Sequence, residues 1–295
     1  MFLSIYHMTQ YLYTEPVIMS HNALYLSPRE ISGRQFCRAH RLSVDPAPSS
    51  LSETYDAFGN KVTFFTVPEA HQSFEVTATS QVEIIPAPLP SLGETWEAAR
   101  ERIHDFRPQN GDAYAFAFES PMVSIESEVR AYASESFPSG QSLGAAVSDL
   151  TARIHRDFHY EKFATTISTP LSEVMRTRKG VCQDFAHLEI ACLRRMGLAA
   201  RYVSGYLLTS PPPGREKLKG ADASHAWISV YSPGHEAGIA GWVDYDPTNN
   251  CIPTDQHITL AWGRDFGDVS PIKGVILGGG ETVMKVSVDV ENLNS

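Results

Sequence analysis

From Leu3 to about Ile85, apolar and polar residues alternate in short runs broken by turn residues, as in Lys61-Val62-Thr63-Phe64-Phe65-Thr66-Val67 after Asp56-Ala57-Phe58-Gly59-Asn60. A period of two residues with turn punctuation predicts strands that bury one face. Residues 1–90 therefore read as an all-β unit. The opening MFLSIYHMTQYLY alternates in the same way; without a basic n-region, long apolar run or small-residue cleavage site, it reads as a strand rather than a signal peptide. Pro86-Ala87-Pro88-Leu89-Pro90 then forbids regular ladder or helix bonding, which predicts a semi-rigid connection to a second unit over residues 91–295.

Beyond residue 90 the period lengthens. Helices are expected near 95–106, 121–136 and 142–157, the last with Leu143, Val147, Leu150 and Ile154 on one face. The strongest helix is expected from Val181 to Met196, with Phe185, Leu188, Cys192 and Met196 aligned and Gly197 as its stop signal. Ala200 to Leu208, His225 to Tyr231 and Trp242 to Asp246 follow as strands, the last two separated by the turn-rich stretch Ser232–Gly241. Val269 to Val290 reads as two more strands around Gly278-Gly279-Gly280.

Composition narrows the classes. The 295 residues carry a formal net charge of −10, which disfavours a phosphate-binding face, so no nucleic-acid partner is expected. No stretch approaches the roughly 20 apolar residues of a membrane helix, and four scattered cysteines lack framework spacing. These features make a membrane partner unexpected and a reducing, cytoplasmic setting the default; oligomeric state is not readable.

The candidate chemistry centres on Cys182. It follows Gly180-Val181 and opens the strongest helix, where unpaired backbone N–H groups and the helix dipole favour negative charge. A thiolate nucleophile needs an imidazole close in space. Among the 11 histidines, His225 begins a strand that places His225, Trp227 and Ser229 on one face and Ala226, Ile228 and Val230 on the other. A hairpin register placing His225 opposite Asp246 would let that carboxylate orient the ring. Asp244, on the same face, is the competing partner, and alternation leaves the choice open.

Gly180-Val181-Cys182-Gln183-Asp184-Phe185-Ala186, Leu193 through Tyr206, Ser224-His225-Ala226-Trp227 and Trp242…Asp246-Pro247-Thr248-Asn249 resemble the core of the transglutaminase-like superfamily. The resemblance covers roughly residues 150–250, and the first 85 residues resemble the amino-terminal region of its bacterial members. It implies an α+β fold: a β-rich N-terminal domain followed by a papain-like core, in which a central Cys-bearing helix packs on an antiparallel sheet bearing His and Asp. It also implies Cys182 as nucleophile, His225 as base and Asp246, rather than Asp244, as the orienting group. The implied activity is cleavage or exchange of amide bonds in a peptide or protein substrate through a thioester, as in a cysteine peptidase, amidase or transglutaminase. The alternative is a catalytically silent peptide- or protein-binding module on the same fold.

Thioester chemistry requires an oxyanion hole. The Cys182 backbone N–H is one candidate donor, and Tyr160, Gln183 and Trp227 are candidate oxyanion or cleft residues. No cofactor is expected. No metal is expected either, because Cys182, His225 and Asp246 lack the short local ligand pairs of structural zinc sites, and no EF-hand-like calcium loop is visible. Cys37, Cys192 and Cys251 read as structural thiols, and His187, one turn along the Cys182 helix, as an exposed residue rather than a group supporting the site from behind. Arg264, Asp265 and Asp268 read as a buried salt-bridge and capping loop, or as a wall of the cleft. The stretch 210–223, with Pro211-Pro212-Pro213, Arg215, Lys217 and Lys219, reads as a solvated basic loop able to border the groove.

Overall fold

The computed structural model describes residues 1–86, 92–105, 108–209, 224–233 and 241–293. Most of the proline-rich connection, the basic stretch 210–223 and residues 234–240 lie outside the described residues. Strands β1 (Phe2–Leu24), β2 (Gln35–Asp45), β3 (Ser50–Tyr55), β4 (Lys61–Val67) and β5 (His71–Ile84) form an antiparallel sheet in the order β2-β5-β1-β4-β3. Helices α1 (Trp96–His104), α2 (Ser127–Ser134) and α3 (Leu143–Asp157) come next, with a 3-10 segment over Pro108–Ala117. Thr95 and Ser142 cap α1 and α3 by accepting a backbone N–H three residues on.

The two-residue strands β6 (His159–Tyr160) and β7 (Lys179–Gly180) pair in parallel around α4 (Leu171–Thr177). Helix α5 (Cys182–Arg195) then enters the core. It packs on a four-stranded antiparallel sheet of order β10-β9-β8-β11, built from β8 (Ala200–Leu207), β9 (Ser224–Tyr231), β10 (Trp242–Tyr245) and β11 (His257–Gly263). After the short α6 (Phe266–Val269), β12 (Ile272–Gly278) and β13 (Thr282–Asn292) complete the chain's regular structure. These last strands, read from the sequence into the 91–295 unit, both pair with β1 and so extend the first sheet to seven strands.

The core explains the arrangement. Ala226, Ile228 and Val230 of β9 face α5 and share one cluster with Phe185, Leu188, Cys192, Leu143, Val147 and Ile154. Each large apolar side chain removed from water there contributes about 1.5–3 kcal/mol. The other side of the β8–β11 sheet is roofed by the first sheet: Tyr206, Ile258 and Leu260 pack with Leu3, Ile5, Val82, Val288 and Val290. Helix α5 is thus covered nearly all round, buried from Asp184 to Arg194. No helix among the described residues is long and apolar enough to cross a membrane. All four cysteines are free thiols.

Candidate active site

The start of α5 is held by a carboxylate. Asp184 accepts the Val181 N–H at 2.7 Å and the Thr165 hydroxyl at 2.6 Å, tying one orphan donor of the first turn to a neighbouring loop. A side chain at Gly180 would meet Asp184 atoms at 2.9 Å, so this glycine makes room for the cap. At the far end Arg194 is buried and donates to the carbonyls of Phe116, Ala200 and Arg264 and to the Ser120 hydroxyl. Cys182 is therefore the first residue of a helix fixed at both ends, and it opens onto a groove of about 550 Å³.

His225 lies on β9 and lines the same groove as Cys182. Its Nε2 donates to Asp246 Oδ2 at 2.8 Å, so the carboxylate holds the ring by one nitrogen and leaves the other to the groove side. Asp246 is 0% exposed. Its Oδ1 accepts the backbone N–H groups of Thr248 (2.9 Å) and Asn249 (3.1 Å), and its Oδ2 also accepts from Asn249 Nδ2 at 2.7 Å and His257 Nε2 at 2.9 Å. Burial alone would push this carboxyl up, but the two imidazoles and Asn249 hold it well below the usual carboxylate range. Burial would likewise lower His225; the Asp246 and Cys182 partners instead hold it up at about 10.

The expected hairpin register is corrected. The ladder runs Trp242↔Tyr231, Asp244↔Ser229 and Tyr245↔Ile228, so it stops with Asp246 in line with Trp227 rather than opposite His225. The Asp246 N–H bonds to the Cys251 carbonyl at 2.9 Å, and its carboxylate reaches His225 diagonally across the strand pair. Asp244 lies elsewhere, 3.7 Å from the Arg34 guanidinium of the first sheet.

Of the three cleft candidates, Tyr160 and Gln183 line the groove with Cys182. The β6–β7 pairing sets Tyr160 beside Gly180, two residues before the cysteine. Burial, and after it the nearby Cys182, raises the Tyr160 phenol above its ordinary value. Trp227 does not reach the cleft: it is 0% exposed, with its Nε1 unpartnered. Its ring stacks 6.0 Å from His225 and meets His257 edge-on at 5.1 Å. The ring crosses Gly205 of β8, where an added Cβ would collide with the Ile258 carbonyl and lie 2.5 Å from the indole. Glycine there lets tryptophan form the floor beneath the histidine.

His187 is buried rather than exposed. It accepts the Phe266 N–H at 3.1 Å and packs on Tyr202; burial lowers it to about 4, so the ring is neutral. The Arg264 loop does cap: Asp265 is buried and accepts the N–H groups of Gly267 and Met122, while the Arg264–Asp268 ion pair (2.9 and 3.0 Å) is half-exposed. Its neighbour Phe266 lines the groove.

The sequence reading missed His257 and Asn249 as partners of Asp246. Asn249 stood inside a recognised block, but no periodicity links His257 to it. His225, Asp246 and His257 offer three ligand-type atoms within 4.8 Å of one another. Hydrogen bonds already account for the contacts of both histidines with the carboxylate, so the set is read as a buried network and not as a metal site.

Comparison with known proteins agrees with this architecture. Residues 3–83 match the bacterial transglutaminase-like N-terminal region, and residues 130–247 match the transglutaminase-like superfamily. An uncharacterized protein of Mycobacterium tuberculosis is 43% identical over 291 residues, covering 96% of this chain and 90% of that one. An uncharacterized protein of Mycobacterium leprae is 32% identical over 296 residues, covering 99% of each. Among solved structures, a "Putative Cysteine Protease" from Cytophaga hutchinsonii superposes with a TM-score of 0.75 at 21% identity, covering 100% of this chain and 91% of that one, and so shares the fold. On these matches, the chain belongs to the transglutaminase-like superfamily.

Proposed function

We propose that the protein is a cysteine-dependent acyl-transfer enzyme acting on amide bonds of peptide-like substrates, with Cys182 as nucleophile, His225 as acid and base, and Asp246 as the group that orients His225. The observation that carries this reading is the position of His225, bonded through Nε2 to a buried carboxylate and lining one groove with a cysteine at a helix start. In the proposed reaction the Cys182 thiolate forms a bond to the carbonyl carbon. The C–N bond then breaks as the amine departs with the proton from His225 Nδ1, leaving a thioester. Water or a second amine, deprotonated by His225, attacks the thioester and releases the sulfur. The Cys182 N–H and the Tyr160 hydroxyl are the candidate oxyanion donors.

An open groove at the sulfur supports catalysis over a silent binding module, for which a filled cleft would speak. A cytoplasmic setting fits a working thiolate accompanied by three other free cysteines. The test is alkylation of the folded protein by iodoacetamide at pH 7, read by peptide mass spectrometry, with turnover of a peptide-amide library in parallel. Cys182 is expected to label ahead of Cys37, Cys192 and Cys251, and Cys182→Ala to lose turnover. Labelling of Cys182 only after denaturation would refute the proposal.

A further inference from the structure

The groove at Cys182 has two walls of different origin. One is the core segment that starts in β6, which contributes Tyr160, Lys162, Phe163 and Ile167. The other is the first sheet, where Thr9 and Tyr11 of β1 pair with Val286 and Met284 of β13 and face the same space. Further along, the same sheet face carries Ile5 and Val290 into the buried junction with Tyr206, Ile258 and Leu260. His7 locks the wall in place: its ring nitrogens bond the Tyr206 hydroxyl at 2.7 Å and the Thr9 hydroxyl at 2.8 Å. The second wall is thus fixed to the sheet that carries His225.

The lips are unusually apolar. Phe163 is 96% exposed and its backbone sits at φ +68°, a left-handed conformation that a bulky side chain disfavours. Packing cannot explain keeping an aromatic ring in strained backbone and in water. Ile167, Met284 and Val286 line the same groove and are exposed as well. Among the described residues lining the groove none is acidic, although the chain has ten more acids than bases; Lys162 is the only Lys or Arg there. A large solvent-facing apolar rim around a concave site marks a recognition surface.

Resting on the acyl-transfer reading above, we propose that the groove selects amides whose acyl side carries a bulky apolar side chain, seated between Phe163 and Ile167 on one lip and Met284 and Val286 on the other. This assigns the N-terminal sheet and β13 a part in substrate choice. Among the described lining residues a cationic side chain finds no carboxylate partner, and any charged side chain loses water against four apolar residues.

The test uses the full chain and three probes, benzyloxycarbonyl-Ala-X chloromethyl ketones with X as Phe, Lys or Asp, each alkylating a thiolate with loss of chloride. Iodoacetamide, which has no side chain to seat, measures thiolate reactivity, and each probe rate is divided by the iodoacetamide rate of the same variant. The Phe probe is expected to exceed the Lys and Asp probes by about 10- to 100-fold, the discrimination an apolar pocket supplies. Phe163→Ser and Met284→Ser, at exposed positions, are expected to shrink that ratio several-fold. Equal ratios for the three probes, with iodoacetamide still labelling Cys182, would overturn the selectivity while sparing the acyl-transfer reading. Failure of iodoacetamide itself would overturn both.

Discussion

Replacing Asp246 by asparagine tests the electrostatic heart of the site. Five donors converge on that carboxylate: two backbone N–H groups on Oδ1, and His225, His257 and the Asn249 amide on Oδ2. Asparagine offers one oxygen and one NH₂, so either orientation strands donors. With its oxygen toward the histidines, two backbone N–H groups face the NH₂; with its oxygen toward the backbone, three side-chain donors do. In the second case His225 must accept at Nε2 and turn Nδ1–H toward Cys182, the tautomer that cannot take the thiol proton. At roughly 1–3 kcal/mol for each stranded donor, the cheaper orientation costs about 2–4 kcal/mol, since the two N–H groups lie near the protein rim.

The charge is lost in both orientations, and burial is then left to act on His225. In the wild-type protein ¹⁵N-histidine NMR is expected to show His225 titrating near 10; in Asp246→Asn it should titrate lower by about 1–3 pH units. Stability changes in step. A histidine held above its ordinary 6.5 contributes fully below pH 6.5 and loses that contribution as pH rises toward 10, so the stability gap between the two proteins should narrow over that window. Urea unfolding at several pH values measures it. A variant whose His225 titrates within half a unit of wild type, with an unchanged urea midpoint, would refute the reasoning.

Two further outcomes are expected. Gly205→Ala should lower stability by about 3 kcal/mol or more, because the added methyl collides with the Ile258 carbonyl and the buried Trp227 ring; urea midpoints measure this, and tryptophan fluorescence should report the displaced indole. Glu189, fully buried on α5 with Thr151 as donor to Oε1 and nothing on Oε2, is raised to about 8 by burial. It keeps its proton while the unfolded chain releases one, so wild-type stability should fall as pH rises from about 4.5 to 8. Glu189→Gln should make that fall shallower, leaving the His225 share above pH 6.5, which unfolding of both proteins at pH 4.5 and pH 6.5 would reveal.

Alternation made the two faces of β9 legible from the residues alone, because side-chain direction alternates strictly along a strand. It could not fix the β9–β10 register: the observed pairing differs from the expected one by two residues, which leaves every side chain on its expected face and so escapes any pattern argument. Helical spacing found α5 from Phe185, Leu188 and Cys192 and reads it as a buried central helix, yet the off-stripe His187 carried no signal of its own burial. In a helix roofed by sheet, strands and loops, no face is left for solvent. Trp227 was placed on the right face and misjudged in depth, since only the meeting of two sheets over Gly205 seals it. His257 was invisible for a related reason: its partner lies 11 residues away across a turn, and one histidine at the mouth of a strand carries no signal of what it will touch.

Over its first half the 23-residue strand β1 is flanked by β5 on one side and by β13 on the other, with Leu3 paired to Asn292. A ribosome must therefore deliver nearly three hundred residues before one of the first strands made acquires its second neighbour. Until then the nascent chain exposes an unpaired backbone edge beside apolar residues, the circumstance in which emerging polypeptides associate wrongly. Folding of this protein is thus closed late, and shielding of that edge during synthesis becomes a requirement written into its topology.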